Sequence, residues 1–175
     1  VAHGEASAGP VEMSDVLVRR AVADDLATVA SWIGTREECR RWAGPRVSYP
    51  IEPKALREEI EMAAAVNVAL VDGDGLAAFG QAVPRGSERA HLARVVVRPD
   101  ARGRGLGKAL IEAVLARAAA AGFRRVTLYV YNDNVEATRL YARLGFRRAE
   151  PPPEDPPSPD VSFMQRSAVR QEGWA

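Results

Sequence analysis

One cysteine, Cys39, and two histidines, His3 and His91, are all that 175 residues contain of those types. A single thiol cannot close an intramolecular disulfide, and so few sulfur and imidazole ligands leave no basis for a zinc site. Apolar runs are short: none approaches the roughly 20 residues that cross a bilayer. The opening "VAHGEASAGPVEMS" lacks a charged segment followed by an apolar one. It does not read as a secretory signal, and a cytoplasmic location is the default. The chain starts on Val, with Met13 as an alternative start. Charge of one sign is also missing, since 24 basic residues meet 23 acidic ones for a net of +1. That balance argues against a nucleic-acid-coating surface, so any basic patch must be local.

What is present fits one ordinary domain: 47% hydrophobic and 27% charged residues in a chain of 175. Residues 1–14 are small and polar and read as a disordered tail. The domain covers 15–168, with "PPPEDPPSPD" (151–160) as a stiff surface loop and 169–175 as a C-terminal tail.

Periodicity then predicts the elements. A strand over 16–20 leads to a helix over 23–34, with an Asp pair for capping and Leu26, Val29, Ala30 and Ile33 on one face. A short helix and an aromatic loop fill 35–50. Pro53 opens another helix, with Leu56, Ile60, Ala63 and Ala64 on its apolar face and Lys54–Glu58 and Arg57–Glu61 pairs outside. "DGDG" joins strands 67–71 and 76–83 in a hairpin. A further strand covers 89–97, a helix runs from Leu106 towards Gly122, and a strand spans 124–131. Asn132, Asp133 and Asn134 turn into and cap the next helix, and residues 161–168 form a last strand. Hairpins and helical crossovers together imply a mixed sheet flanked by helices, an α/β fold.

The densest signal is "VVVRPDARGRGLGKAL" (95–110). Arg98, Arg102, Arg104 and Lys108 stand against one acid, Asp100, in a glycine-rich loop that opens a helix. Successive backbone N–H groups at such a place form an anion site, and glycines let a phosphate approach. The P-loop pattern fails because Lys108 is followed by Ala109 and Arg102 replaces the first glycine; the dinucleotide pattern fails because residue 108 is Lys.

The chain instead resembles the GCN5-related N-acetyltransferases. Arg102, Gly105 and Gly107 after "VRP" match that family's R/Q-x-x-G-x-G/A motif, and "YNDNVEATRLYARLGF" (131–146) resembles its N-x-x-A-x-x-L-Y-x-x-L-G-F segment. The resemblance implies the family's fold, acetyl-CoA as donor and no metal. It implies that Val95, Val96 and Val97 line the pantetheine arm where the strand splays from its neighbour. Gly103, Arg104, Gly105, Leu106, Gly107 and Lys108 would wrap the pyrophosphate. Asn134 matches a residue that touches the cofactor arm, and Tyr141 one beside the thioester sulfur.

Acyl transfer to an amine needs a neutral amine, a donor for the oxyanion and a proton for the thiolate. A backbone N–H at Val96 or Val97 suits the second, and Tyr141 the third. For the first, some members place a glutamate at the position of His91, others at that of Tyr129. The ordinary imidazole pKa suits a base near neutral pH, and His91 would share a strand side with Ala93 and Val95; a hydrogen-bonded histidine that lines the pocket without taking a proton, or water-mediated deprotonation, is the alternative. Trp42 and Tyr49, beside Gly44 and Pro45, are candidate walls of an acceptor pocket, whereas Trp32 and Cys39 read as core and Glu88 as a solvated strand-start residue. The acceptor is a small-molecule or peptide amine, and a homodimer would follow the family's habit. A non-catalytic acyl-CoA-binding module of the same fold is the second reading.

Overall fold

Between its first two strands, β1 (Leu17–Arg20) and β2 (Val66–Asp72), the chain makes three short helices: α1 (Asp25–Ser31), α2 (Arg36–Ala43) and α3 (Pro53–Glu59). These are seen in a computed structural model that describes residues 15–153 and 158–168. A tight turn at Gly73 and Asp74 leads into β3 (Gly75–Pro84), and β4 (Arg89–Val97) folds back on it. The chain then crosses over through α4 (Leu106–Ala120) to β5 (Arg125–Tyr131), turns into α5 (Val135–Arg143), and ends with β6 (Arg147–Arg148) and β7 (Val161–Ser167). The sheet order is β1-β2-β3-β4-β5-β7-β6. Only β4 and β5 run parallel, as a helical crossover between them requires.

α4 covers one face of this sheet. Its Leu106, Leu110, Ile111, Val114 and Leu115 pack on Val68, Leu70, Leu92, Val126 and Leu128. Each such leucine, fully buried, stabilises the fold by roughly 2 kcal/mol. The helix sits close because residue 80 is glycine: a Cβ there would lie 3.3 Å from Leu110 Cδ2. The other face carries α1, α2 and α3, with Leu26, Val29, Leu56 and Ile60 packed against Ala69, Phe79 and Val96. Among the described residues no helix is long and apolar enough to cross a membrane.

The structure differs from the sequence expectations at several points. The first helix is shorter than expected; Asp24 makes no side-chain cap, while Asp25 accepts from Arg19 and from the Val22 N–H. The third stops at Glu59 because Glu61 takes a φ of 56°, which leaves Ala63 and Ala64 exposed. That turn also hands Glu61 to Arg85 and Arg46 instead of Arg57. Trp42 lies in the last turn of α2 rather than in the following loop. The two-residue β6 was not signalled by its "RR" sequence. The expected tails at 1–14 and 169–175, and residues 154–157 of the proline-rich loop, lie outside the described residues.

Candidate active site

β4 and β5 are in register only over Arg89↔Arg125, Ala90↔Val126 and His91↔Thr127. Beyond His91 they part, leaving a wedge in the middle of the sheet. The cause is visible in β4, where Arg94 adopts a φ of 54° and the β3–β4 register slips by one residue. Such a bulge bends its strand and re-aims its side chains. Accordingly Ala90 and Leu92 pack on the α4 side, but past the bulge it is Val95 and Val97 that do so, while Val96 packs with α1 and α3. The expected alternation of His91 with Val95 is therefore broken. Val97 pairs with Ala78, and the next N–H, that of Arg98, donates to Ala77 O at 2.8 Å on the β3 side. By alternation the edge groups of Val97 turn to the wedge and those of Val96 to β3. The Val97 carbonyl there accepts from Arg102 Nε at 3.3 Å.

The glycine–arginine loop sits at the open end of the wedge. Gly103 and Gly105 have φ values of 75° and 82°, a region side chains rarely enter, and open space lies where their Cβ atoms would be. Gly105 is the N-cap of α4, so Leu106, Gly107 and Lys108 present N–H groups without helical partners. The count of four loop cations needs revision. Arg98 is clamped on Asp72 at 2.9 Å and on Asp100 at 2.6 Å, and those two carboxylates hold its guanidinium above the usual arginine range. The hydrogen bond from Arg98 in turn holds the Asp72 carboxyl below the ordinary value. This part-buried pair ties the loop to the β2–β3 hairpin. Arg104 lies 4.0 Å from Asp72 with its Nε buried and unpartnered, and Lys108 is 3.9 Å from Glu112. Asp72 went unnoticed in the sequence because "DGDG" reads fully as a turn.

The two flanks of the wedge carry the reactive candidates. On the face away from α4, His91 Nδ1 lies 3.0 Å from Thr127 Oγ1, and its ring packs 5.3 Å from that of Tyr129. On the α4 side, Tyr141 packs into the core and edge-on to Phe146; burial pushes its phenol up to about 12, so it stays protonated at neutral pH. Asn134 caps α5 by accepting from Ala137 N–H at 3.1 Å, across the wedge from β4.

The α1–α3 face forms the remaining wall. A capping box at Thr35 and Glu38 starts α2. Arg41 on α2 reaches Asp133 through two bonds of 3.1 and 2.6 Å and lies over the Tyr131 ring at 4.3 Å, joining this wall to the β5–α5 turn. Trp42 is half-buried, and its Nε1 is buried without a partner. Tyr49 donates to Gly34 O at 2.6 Å, so its hydroxyl fixes the loop. Cys39 is buried, which pushes its thiol up. Glu88 is exposed and faces Arg124 at 3.5 Å. Arg94, inside the bulge, donates to Gln81 Oε1 at 3.1 Å and to Ile60 O at 3.4 Å, and burial pulls its guanidinium down to about 10. Among the described residues no His, Cys, Asp and Glu cluster could hold a metal.

A model of the acetyltransferase (GNAT) family matches residues 32–146. A mycothiol acetyltransferase of Actinosynnema mirum is 56% identical over 54 residues, 31% of this chain and 18% of that protein. One from Corynebacterium glutamicum is 28% identical over 151 residues, 86% of this chain and 48% of that protein. The chain thus spans less than half the length of these relatives. Among solved structures, spermidine N-acetyltransferase from Vibrio cholerae in complex with CoA and spermine superposes with a TM-score of 0.70 at 19% identity, covering 89% of this chain and 96% of that one. The ribosomal-protein-S18-alanine N-acetyltransferase of Escherichia coli gives 0.65 at 21% identity, over 91% and 99%.

Proposed function

Because the chain belongs to the GNAT family of acetyltransferases, we propose that it moves an acetyl group from acetyl-CoA to a primary amine of a small molecule or protein by direct attack. The wedge between β4 and β5, with the glycine–arginine loop at its open end, is the observation that carries this reading. The pyrophosphate would rest on the N–H groups of residues 103–108, which converge where a phosphate can approach, with Arg102 and Arg104 at its rim. The pantetheine arm would run along residues 95–97 towards the closed end, making hydrogen bonds a fully paired strand could not offer. Acetyl-CoA supplies the activated thioester; the chain supplies orientation and proton handling.

The amine would enter from the α1–α3 face, where His91 stands. With Thr127 at Nδ1, Nε2 would be the nitrogen that takes the amine's proton as it attacks. Negative charge on the carbonyl oxygen would be met by a wedge-edge N–H of β4; the alternation that turns Val97 to the wedge turns Val95 there too, and Val95 is the nearer to His91. The thiolate would leave on the α4 side, towards the protonated Tyr141. Base and acid thus lie on opposite flanks of one gap, as a reaction with an entering and a leaving group requires. A cytoplasmic setting goes with this reading.

Thermal shifts with acetyl-CoA, CoA, NAD and ATP test it. A ligand at 100 times its dissociation constant adds about 2.7 kcal/mol to native stability. Selective stabilisation by acetyl-CoA and CoA, with CoA release on adding amines, is expected. Stabilisation without turnover on any amine would favour the acyl-CoA-binding module, and a larger shift with NAD or ATP would overturn both.

A further inference from the structure

Arg94 is 5% exposed, the one arginine buried among the described residues, and it makes no ion pair there. Other part-buried arginines are matched directly: Arg19 with Asp25 at 2.7 Å, Arg85 with Glu61 at 3.0 Å and Arg98 with Asp72 at 2.9 Å. Arg94 gives Nη1 to neutral oxygens of Gln81 and Ile60, and its Nε has no partner. Glu61, the carboxylate whose field reaches it, is already bonded to Arg85 and Arg46. Three guanidiniums therefore share one carboxylate on this wall.

Burying a charge is costly unless something opposite meets it. Arg94 is moreover held in place by a built scaffold. Gln81 Nε2 donates to Asn67 Oδ1 at 2.6 Å and to Ile60 O at 3.2 Å, while Asn67 Nδ2 donates to Met62 O and Ala65 O. Every polar atom of the two amides is used, and only the guanidinium has capacity left. Trp42 Nε1, on the helix that packs across β4, is also a buried donor lacking an acceptor. What is missing from this wall is a hydrogen-bond acceptor with negative charge.

Position says which molecule would bring it. Arg94 shares its face with His91, lies three residues along the strand from it, and immediately precedes the segment assigned to the pantetheine arm. That is the closed end of the wedge, where the thioester and the attacking amine would meet. We propose that the acceptor carries a carboxylate close to its amine, as a free amino acid does, and that Arg94 binds that carboxylate and so selects the acceptor. The inference rests on the acetyl-transfer reading. An arginine that merely caps the last carbonyls of α3 would leave the acceptor's carboxylate without consequence.

The test uses the unmodified chain with acetyl-CoA, following CoA release on the twenty free amino acids, their carboxamides, the corresponding decarboxylated amines and spermidine. The best acceptor is expected to be a free amino acid whose carboxamide has a kcat/KM about 10- to 100-fold lower, the range of charge-assisted hydrogen bonds. R94Q should bring that ratio close to one by raising KM for the acid, with an acetyl-CoA thermal shift to show that it is folded. If R94Q does not fold, the ratio on the unmodified chain decides alone. Carboxamides or spermidine used as well as the acids, acetyl-CoA bound with no acid turned over, or a ratio unchanged in folded R94Q would each overturn the role of Arg94. Turnover of other amines in those cases leaves acetyl transfer standing; no acetyl-CoA shift and no turnover on any amine overturns both.

Discussion

The two faces of the sheet bury different things. Under α4 the contacts are aliphatic: Leu110, Ile111 and Val114 lie on Val68, Leu92 and Leu128. Under α1 to α3 the same strands bury Asn67, Gln81, Arg94 and Thr127 as well. Apolar contacts reward close fit but have no preferred bond direction, whereas buried polar groups cost several kcal/mol each unless their partners are placed well. One face can therefore hold the fold while the other holds groups in fixed directions. The wedge is where they meet, and it draws His91 from one and Tyr141 from the other.

The largest effect should come from breaking the dry face. Leu110→Ala removes a fully buried side chain against Gly80 and should cost about 3 kcal/mol of unfolding free energy in urea, with acetyl-CoA affinity of the folded protein retained. An equal loss of affinity would show that the faces are not separable. Slightly smaller is Tyr141→Phe, which keeps the ring and removes the proton donor. Turnover should fall about 100-fold, near 2.7 kcal/mol, with KM for acetyl-CoA unchanged. A rate within twofold of the unmodified chain would return Tyr141 to plain packing.

These two residues also mark what could be read in advance. Leu110 repeats with a helical period, and Tyr141 stands at a fixed offset from Asn134; both are local patterns. The loop over 102–108 was legible for the same reason, since glycine, arginine and helix start are neighbours in the chain. The bulge at Arg94, the early end of α3 before Glu61 and the capture of Arg98 by Asp72 go with partners 13 to 34 positions away. Alternation gave Arg94 an ordinary strand position, and only the folded sheet shows that its side chain is buried without a counter-charge.

The junction of the faces can be loosened at Asp72. Asp72→Asn keeps the shape and removes the charge that anchors Arg98, so the loop should hold the pyrophosphate less firmly and KM for acetyl-CoA should rise about tenfold, near 1.4 kcal/mol, with kcat unchanged. The same variant carries a pH signature. A carboxyl held below its unfolded value, near 3.9, stabilises the fold at higher pH, and that contribution fades as pH falls through the lower folded value. Asp72→Asn should therefore flatten the acid limb of the stability profile below about pH 4. An unchanged limb together with an unchanged KM would mean that the clamp does not position the loop.

The smallest effect sharpens the comparison from the polar side. α2 has eight residues, too few to be helical alone, so its start depends on its cap and its body on the sheet beneath. Thr35 Oγ1 accepts from Glu38 N–H at 3.1 Å, while Glu38 Oε2 accepts from Thr35 N–H at 3.1 Å and Gly34 N–H at 2.7 Å. Thr35→Ala removes half of this box and should lower unfolding free energy by about 1 kcal/mol. Because α2 carries Arg41 and Trp42, the helix should fray where the amine would enter while the α4 face and the glycine loop stay intact. KM for the acceptor should rise several-fold and KM for acetyl-CoA should not move. A rise in both by the same factor would mean that α2 braces the wedge itself, and the two faces would then act as one unit.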